Sequence, residues 1–144
     1  MTDHLPRLHV ARGIDGAPHA VPLVLLHGFT GDATTWDSLV GHLGANRPVL
    51  AVDLVGHGQS EAPDDPGAYT MPATVDAVLA AVAAVADGPR VGGATRAHWL
   101  GYSMGGRVAL NLTLVAPGAV AGLVLIGASP GIADPTARTD RSGR

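Results

Sequence analysis

Cysteine is absent from the 144 residues, so no disulfide braces the fold and no thiolate holds a metal. Lysine is absent too. All nine basic residues are arginines, and they are scattered, with no basic stripe of the kind that tracks a nucleic-acid backbone. Aromatic side chains make up only 3% of the chain, and Ala and Val dominate its apolar residues. Long apolar runs are missing. The longest, Ala77 to Ala86, has ten residues, against the roughly 20 that a transmembrane helix requires. Met1-Thr2-Asp3-His4 lacks the basic-then-apolar layout of a secretory leader. Also missing are a G-x-G-x-x-G after the first apolar run, a P-loop and an H-E-x-x-H. The expectation is a soluble cytoplasmic chain with no cofactor, no metal, no nucleic-acid partner and no membrane contact.

Hydrophobic residues amount to 47%, and the net charge is −3. The length suits one domain. Four short apolar runs read as strands buried on both faces: Val21 to Leu26, Pro48 to Leu54, Ala97 to Tyr102 and Val120 to Ile126. Between them lie stretches at helical spacing. Thr34 to Leu43 carries Trp36, Leu39, Val40 and Leu43. Pro72 to Asp87 carries Val75, Val78, Leu79, Val82 and Val85. Val108 to Ala116 carries Val108, Leu112 and Val115. A further short strand is expected at Leu8 to Ala11. Loops are expected at 55–71 and, rich in glycine, at 88–96. This alternation predicts an α/β fold, a mostly parallel sheet with helices on both faces and right-handed crossovers.

On such sheets ligands bind beyond the carboxyl ends of the strands. All four predicted strand ends carry special residues: His27-Gly28-Phe29, Asp53, Ser103 and Gly127-Ala128-Ser129. Gly101-Tyr102-Ser103-Met104-Gly105 is a G-x-S-x-G pentapeptide between a strand and a helix. A chain that turns sharply there places its apex residue in a strained conformation, and the flanking positions must be small. The plainer reading is a turn whose serine caps the helix. The chemical reading makes Ser103 a nucleophile or base, which needs a histidine to take its proton and an acid to orient that histidine. The N–H of Met104 would be one oxyanion donor, and the N–H of Phe29, beside Gly28, the second.

Three motifs together resemble the α/β-hydrolase superfamily: Leu26-His27-Gly28-Phe29-Thr30-Gly31, Asp53-Leu54-Val55-Gly56-His57-Gly58-Gln59-Ser60 and Gly101-Tyr102-Ser103-Met104-Gly105-Gly106-Arg107. Within it, the third motif followed by Leu125-Ile126-Gly127-Ala128-Ser129-Pro130-Gly131 resembles the menaquinone-pathway synthases. Those are lyases on a hydrolase fold. They eliminate pyruvate to form 2-succinyl-6-hydroxy-2,4-cyclohexadiene-1-carboxylate. The resemblance covers about residues 23–137. It implies a catalytic Ser103, an oxyanion hole at Phe29 and Met104, and a small carboxylate or ester substrate met by Arg107, Tyr102, His27 and Gly28. An arginine one helical turn after the serine suits a carboxylate; its alternative is a solvated helix arginine. Tyr102 either lines the pocket or packs in the core. An esterase or C–C-bond hydrolase fits the serine motif equally well, and a non-catalytic binding module is the third reading.

One departure is large. The superfamily order is Ser, then Asp, then His, yet all seven histidines (4, 9, 19, 27, 42, 57, 98) precede Ser103, and only Asp134 and Asp140 follow it. His27 and His57 are expected to order their turns rather than to act as base, and Asp53 to cap its own turn. The expectation is a partial, C-terminally truncated hydrolase domain over residues 1–144, with a disordered tail at 138–144, an open sheet edge at Val120 to Ile126, and little or no activity by itself.

Overall fold

The computed structural model describes residues 4–131; the expected tail and Asp134 lie outside the described residues. Strands β1 (Val10–Ile14), β2 (Leu23–Leu26), β3 (Val49–Val52), β6 (Ala97–Tyr102) and β7 (Val120–Ile126) form one sheet in the order β1-β3-β2-β6-β7. The pairs β2–β3, β2–β6 and β6–β7 are parallel, and only β1 runs antiparallel, against β3. The fold class is therefore as the alternation predicts, a mostly parallel sheet with helical cover on both faces. Register brings Leu26 level with Val52 on one side and Gly101 on the other. The carboxyl ends of the central strands consequently open at one edge of the sheet.

Period-two alternation divides the side chains between two cores. Val24, Leu26, Leu50, Val52 and Trp99 face helices α2 (Met71–Val85) and α3 (Met104–Val115), where they meet Val75, Val78, Val82, Val108 and Leu112. Leu25, Val49 and Ala51 face Ala33 and Trp36 on the other side, with Leu39, Val40 and Leu43 packed around them. With few aromatics to fill the interior, Trp99 is the largest fully buried side chain, and its indole N–H donates to Ala119 O at 3.0 Å.

Four local expectations are corrected. The helix foreseen at Thr34 to Leu43 is a 3-10 turn (Ala33–Trp36) followed by a single α-turn, α1 (Asp37–Val40). Its start is fixed by Asp32, which accepts from Thr34 N–H, and Gly41 closes it. The loop at 88–96 is a two-stranded ribbon, β4 (Arg90–Val91) with β5 (Ala94–Thr95). Gly92 and Gly93 both have positive φ, as a tight two-residue hairpin turn requires. The N-terminal strand lies two to three residues later than Leu8 to Ala11. Val115, foreseen on the core face of its helix, is 68% exposed, and Ala109 takes its place inside. Among the described residues β7 is a sheet edge, with Val124, Leu125 and Ile126 exposed.

Candidate active site

Ser103 follows the last residue of β6 and precedes the first of α3, at φ 50° and ψ −112°. A non-glycine residue holds such a backbone only where its surroundings over-determine it, at a cost of about 1–3 kcal/mol. Here its N–H donates to Ile126 O at 2.9 Å, and its carbonyl accepts from Arg107 N–H at 3.1 Å. Its side chain makes no capping hydrogen bond to α3, so the plainer reading of a helix cap does not describe it. Gly105 explains the close packing beneath the turn. A Cβ there would drive into the carbonyl oxygens of Leu26 and His27, so α3 sits directly against the end of β2.

That contact brings the loop after β2 to the serine. A Cβ on Gly28 would lie 3.5 Å from Ser103 Cβ and 2.9 Å from two ring carbons of Tyr102, so a side chain there would have to displace the Tyr102 ring. Phe29, next in the loop, is 73% exposed at the open edge of the sheet. Met104 begins α3 immediately after the serine, half-buried. Tyr102 is 45% exposed and covers Gly28 rather than entering the core. Arg107 is exposed on the first turn of α3, one turn beyond Ser103.

His27 differs from the sequence expectation of a substrate-facing residue. It has no exposed surface. Its Nε2 accepts from Leu54 N–H at 2.9 Å, and its Nδ1–H donates to Gly28 O at 2.7 Å. Burial is the main reason its pKa is lowered from the ordinary 6.5. The Gly28 bond raises it, and the neighbouring His57 lowers it further. A neutral ring with both nitrogens engaged ties β2 to the turn after β3.

Asp53 is 2% exposed and holds the adjoining loops. One carboxylate oxygen accepts from Ala33 N–H at 2.6 Å. The other accepts from Gln59 N–H at 2.9 Å and lies 2.9 Å from His9 Nδ1. Burial works to raise its pKa, but the N–H groups of Gln59 and Ala33, with His9, more than offset that and leave it below the ordinary value. A carboxylate so fully engaged organises turns, in keeping with its expected local role.

His57 orders its own turn, as expected, and also reaches the loop after β2. Its Nδ1–H donates to Val55 O at 3.0 Å, and its Nε2 accepts from Thr30 N–H at 3.4 Å. Its ring lies 5.0 Å from that of His27 and 5.9 Å, edge to face, from that of Phe29. Among the described residues no group of three or more His, Asp or Glu could hold a metal ion, and no helix is long and apolar enough to cross a membrane.

This strand–turn–helix with an apposed glycine loop has close counterparts among known proteins. The acetyltransferase component of the acetoin cleaving system of Pseudomonas putida is 40% identical over 121 residues, 83% of this chain and 30% of that protein. A pimeloyl-[acyl-carrier protein] methyl ester esterase of Edwardsiella ictaluri (strain 93-146) is 39% identical over 108 residues, 75% of this chain and 36% of that protein. The 2-succinyl-6-hydroxy-2,4-cyclohexadiene-1-carboxylate synthase of Salmonella agona (strain SL483) is 35% identical over 132 residues, 91% of this chain and 48% of that protein. A hydrolase of Pseudomonas aeruginosa PA01, known from its crystal structure, superposes with a TM-score of 0.76 at 31% identity, over 99% of this chain and 49% of that one. The chain thus spans half or less of the length of these relatives. Residues 21–143 match the family model of the alpha/beta hydrolase fold, and the chain belongs to that family.

Proposed function

We propose that this chain carries the nucleophile and oxyanion hole of an α/β-hydrolase-fold enzyme acting on a small carboxylate or ester. Ser103 is the nucleophile or base. The N–H groups of Met104 and Phe29 receive the oxyanion, and Arg107 and Tyr102 meet the substrate. The observation that carries the reading is the backbone of Ser103, held at φ 50° beside Gly28 with no capping role to account for the strain. Oriented N–H donors at a strand-to-helix turn stabilise developing negative charge, and losing one typically costs about 2.7–4 kcal/mol of transition-state stabilisation. A triad also needs a histidine and its acid after the serine, and no histidine follows Ser103 in these 144 residues. The proposal for these residues is therefore confined to the serine, its oxyanion donors and the substrate contacts.

Between reaction types, the Ser103-to-Arg107 and Leu125-to-Gly131 motifs favour pyruvate elimination as in the menaquinone-pathway synthases. Ester hydrolysis is the second reading, favoured by the comparable identity of the methyl ester esterase. The test compares pyruvate release from the synthase substrate with nitrophenol release from an aryl ester, each against Ser103→Ala. The residual rate of a triad enzyme without its histidine comes from the oxyanion hole and binding and does not depend on its serine, so both assays are run on a protein that supplies the histidine and its acid together with this segment. Pyruvate release lost in Ser103→Ala supports the lyase, and ester cleavage without pyruvate supports the esterase. Neither exceeding the Ser103→Ala background contradicts the catalytic reading.

A further inference from the structure

Among the described residues, two of the three non-glycine residues with positive φ lie at the candidate site: Ser103, and Thr30 at φ 66°. Thr30 is β-branched, and such residues resist this conformation. It stands next to Phe29, whose N–H is the second oxyanion donor in the reading above. Something must hold the loop there. Gly31 N–H donates to Gly28 O at 3.0 Å, which closes the turn from within. The contact from outside is Thr30 N–H to His57 Nε2 at 3.4 Å.

His57 is itself fixed. Its backbone N–H donates to Leu54 O and its carbonyl accepts from Ser60 N–H, at 2.9 and 3.0 Å. Val55 O can only accept, so Nδ1 carries the ring proton. Nε2 is then left with a lone pair aimed at the Thr30 N–H. The Phe29 ring packs edge-on against the same imidazole. A single ring thus touches both residues of the loop through two kinds of contact. The titratable neighbours are His27, kept neutral by burial, and Asp53 and Asp32, whose charges act on His27 from the adjoining turns.

We propose that His57 is a positioning residue for the oxyanion loop. Its neutral Nε2 holds the Phe29–Thr30 peptide beside Ser103, and its protonation releases the loop. A protonated imidazole has no lone pair to offer, and its new N–H would point at another N–H. The inference rests on the reading of Phe29 as an oxyanion donor for its catalytic meaning, but not for the contact itself.

The test is nuclear magnetic resonance of the full 144-residue chain, with the His57 ring and the loop amides followed together as the pH is lowered. The amide resonances of Thr30 and Phe29 are expected to move with the same midpoint as the His57 ring. Hydrogen-exchange protection at Thr30 should fall about two- to tenfold on protonation, the size of one hydrogen bond. In His57→Phe, which keeps the ring but has no acceptor, both amides sit at their low-pH positions throughout. In His57→Gln, whose side-chain oxygen can accept, they stay at their high-pH positions and do not titrate. A Thr30 amide that ignores the His57 titration overturns the inference, as does one that still titrates in His57→Phe. The oxyanion reading fails separately: a boronic acid adduct on Ser103 that shifts Met104 but leaves the Phe29 amide in place contradicts it and leaves the His57 contact standing.

Discussion

Replacing Ser103 by glycine should make the protein more stable while abolishing its chemistry. The backbone at φ 50°, ψ −112° costs about 1–3 kcal/mol for a residue with a Cβ. Glycine removes that strain, but it returns about 0.5–1 kcal/mol through the greater freedom of the unfolded chain. No helix cap is lost, because the Ser103 side chain makes no capping bond. The balance is a gain of about 1 kcal/mol, which for a domain of this size raises Tm by roughly 3–5 °C. Ser103→Ala is the control. It keeps the Cβ and the strain and should stay within about 0.5 kcal/mol of the parent. The assay is urea unfolding of all three proteins, followed by thermal melts. If glycine is no more stable than alanine, Ser103 is not strained by its turn, and the argument that its conformation is retained for chemistry falls.

Three further outcomes follow from the same geometry. Asp53→Asn puts a donor amide among N–H groups that now share a buried carboxylate, and should cost about 2–4 kcal/mol from hydrogen bonds worth about 1.5–3 kcal/mol each to a charged group. Urea midpoints measure it, and a loss below 1 kcal/mol would refute the role assigned to the carboxylate, on the same scale. Stability should fall on acidification below the ordinary histidine value of 6.5, because the lowered pKa of His27 makes the unfolded chain take up a proton that the folded chain refuses. The slope from this group is at most about 1.4 kcal/mol per pH unit and is lost in His27→Gln; a flat or rising profile across that window contradicts it. Asp53 adds a second decline only as pH falls below 3.8 through its own lowered value. Val124→Lys, on the exposed edge strand, should weaken concentration-dependent self-association in analytical ultracentrifugation, since a charge blunts an open sheet edge; unchanged sedimentation would show that the edge does not pair.

The parallel strands were legible because residues buried on both faces leave unbroken apolar runs. Ala97 to Tyr102 and Val120 to Ile126 coincide with β6 and β7 residue for residue. The α2 stripe was equally plain, since fifteen residues with Val75, Val78 and Val82 inward leave little ambiguity. The ribbon at β4–β5 was missed although Gly92-Gly93 is a hairpin signal, because strands of two residues carry no periodicity. The first helix was overestimated because its apolar spacing is helical, whereas Gly41 and the Asp32 cap break it into short turns. At the site, the elbow at Ser103 and the nearness of Gly28 followed from motif chemistry. The grip of His57 on Thr30 did not, because it joins residues 27 apart through a turn whose shape Asp53 sets.

The most direct test of the central claim is selective modification of serine. The chain contains Ser38, Ser60, Ser103, Ser129 and Ser142, and a fluorophosphonate probe followed by peptide mass spectrometry reports on each. The oriented N–H donors at the strand-to-helix turn favour attack by Ser103 over the other serines even where no histidine activates it. The account predicts slow labelling confined to Ser103 and absent from Ser103→Ala. Labelling spread over the other serines, or unchanged in Ser103→Ala, would contradict it.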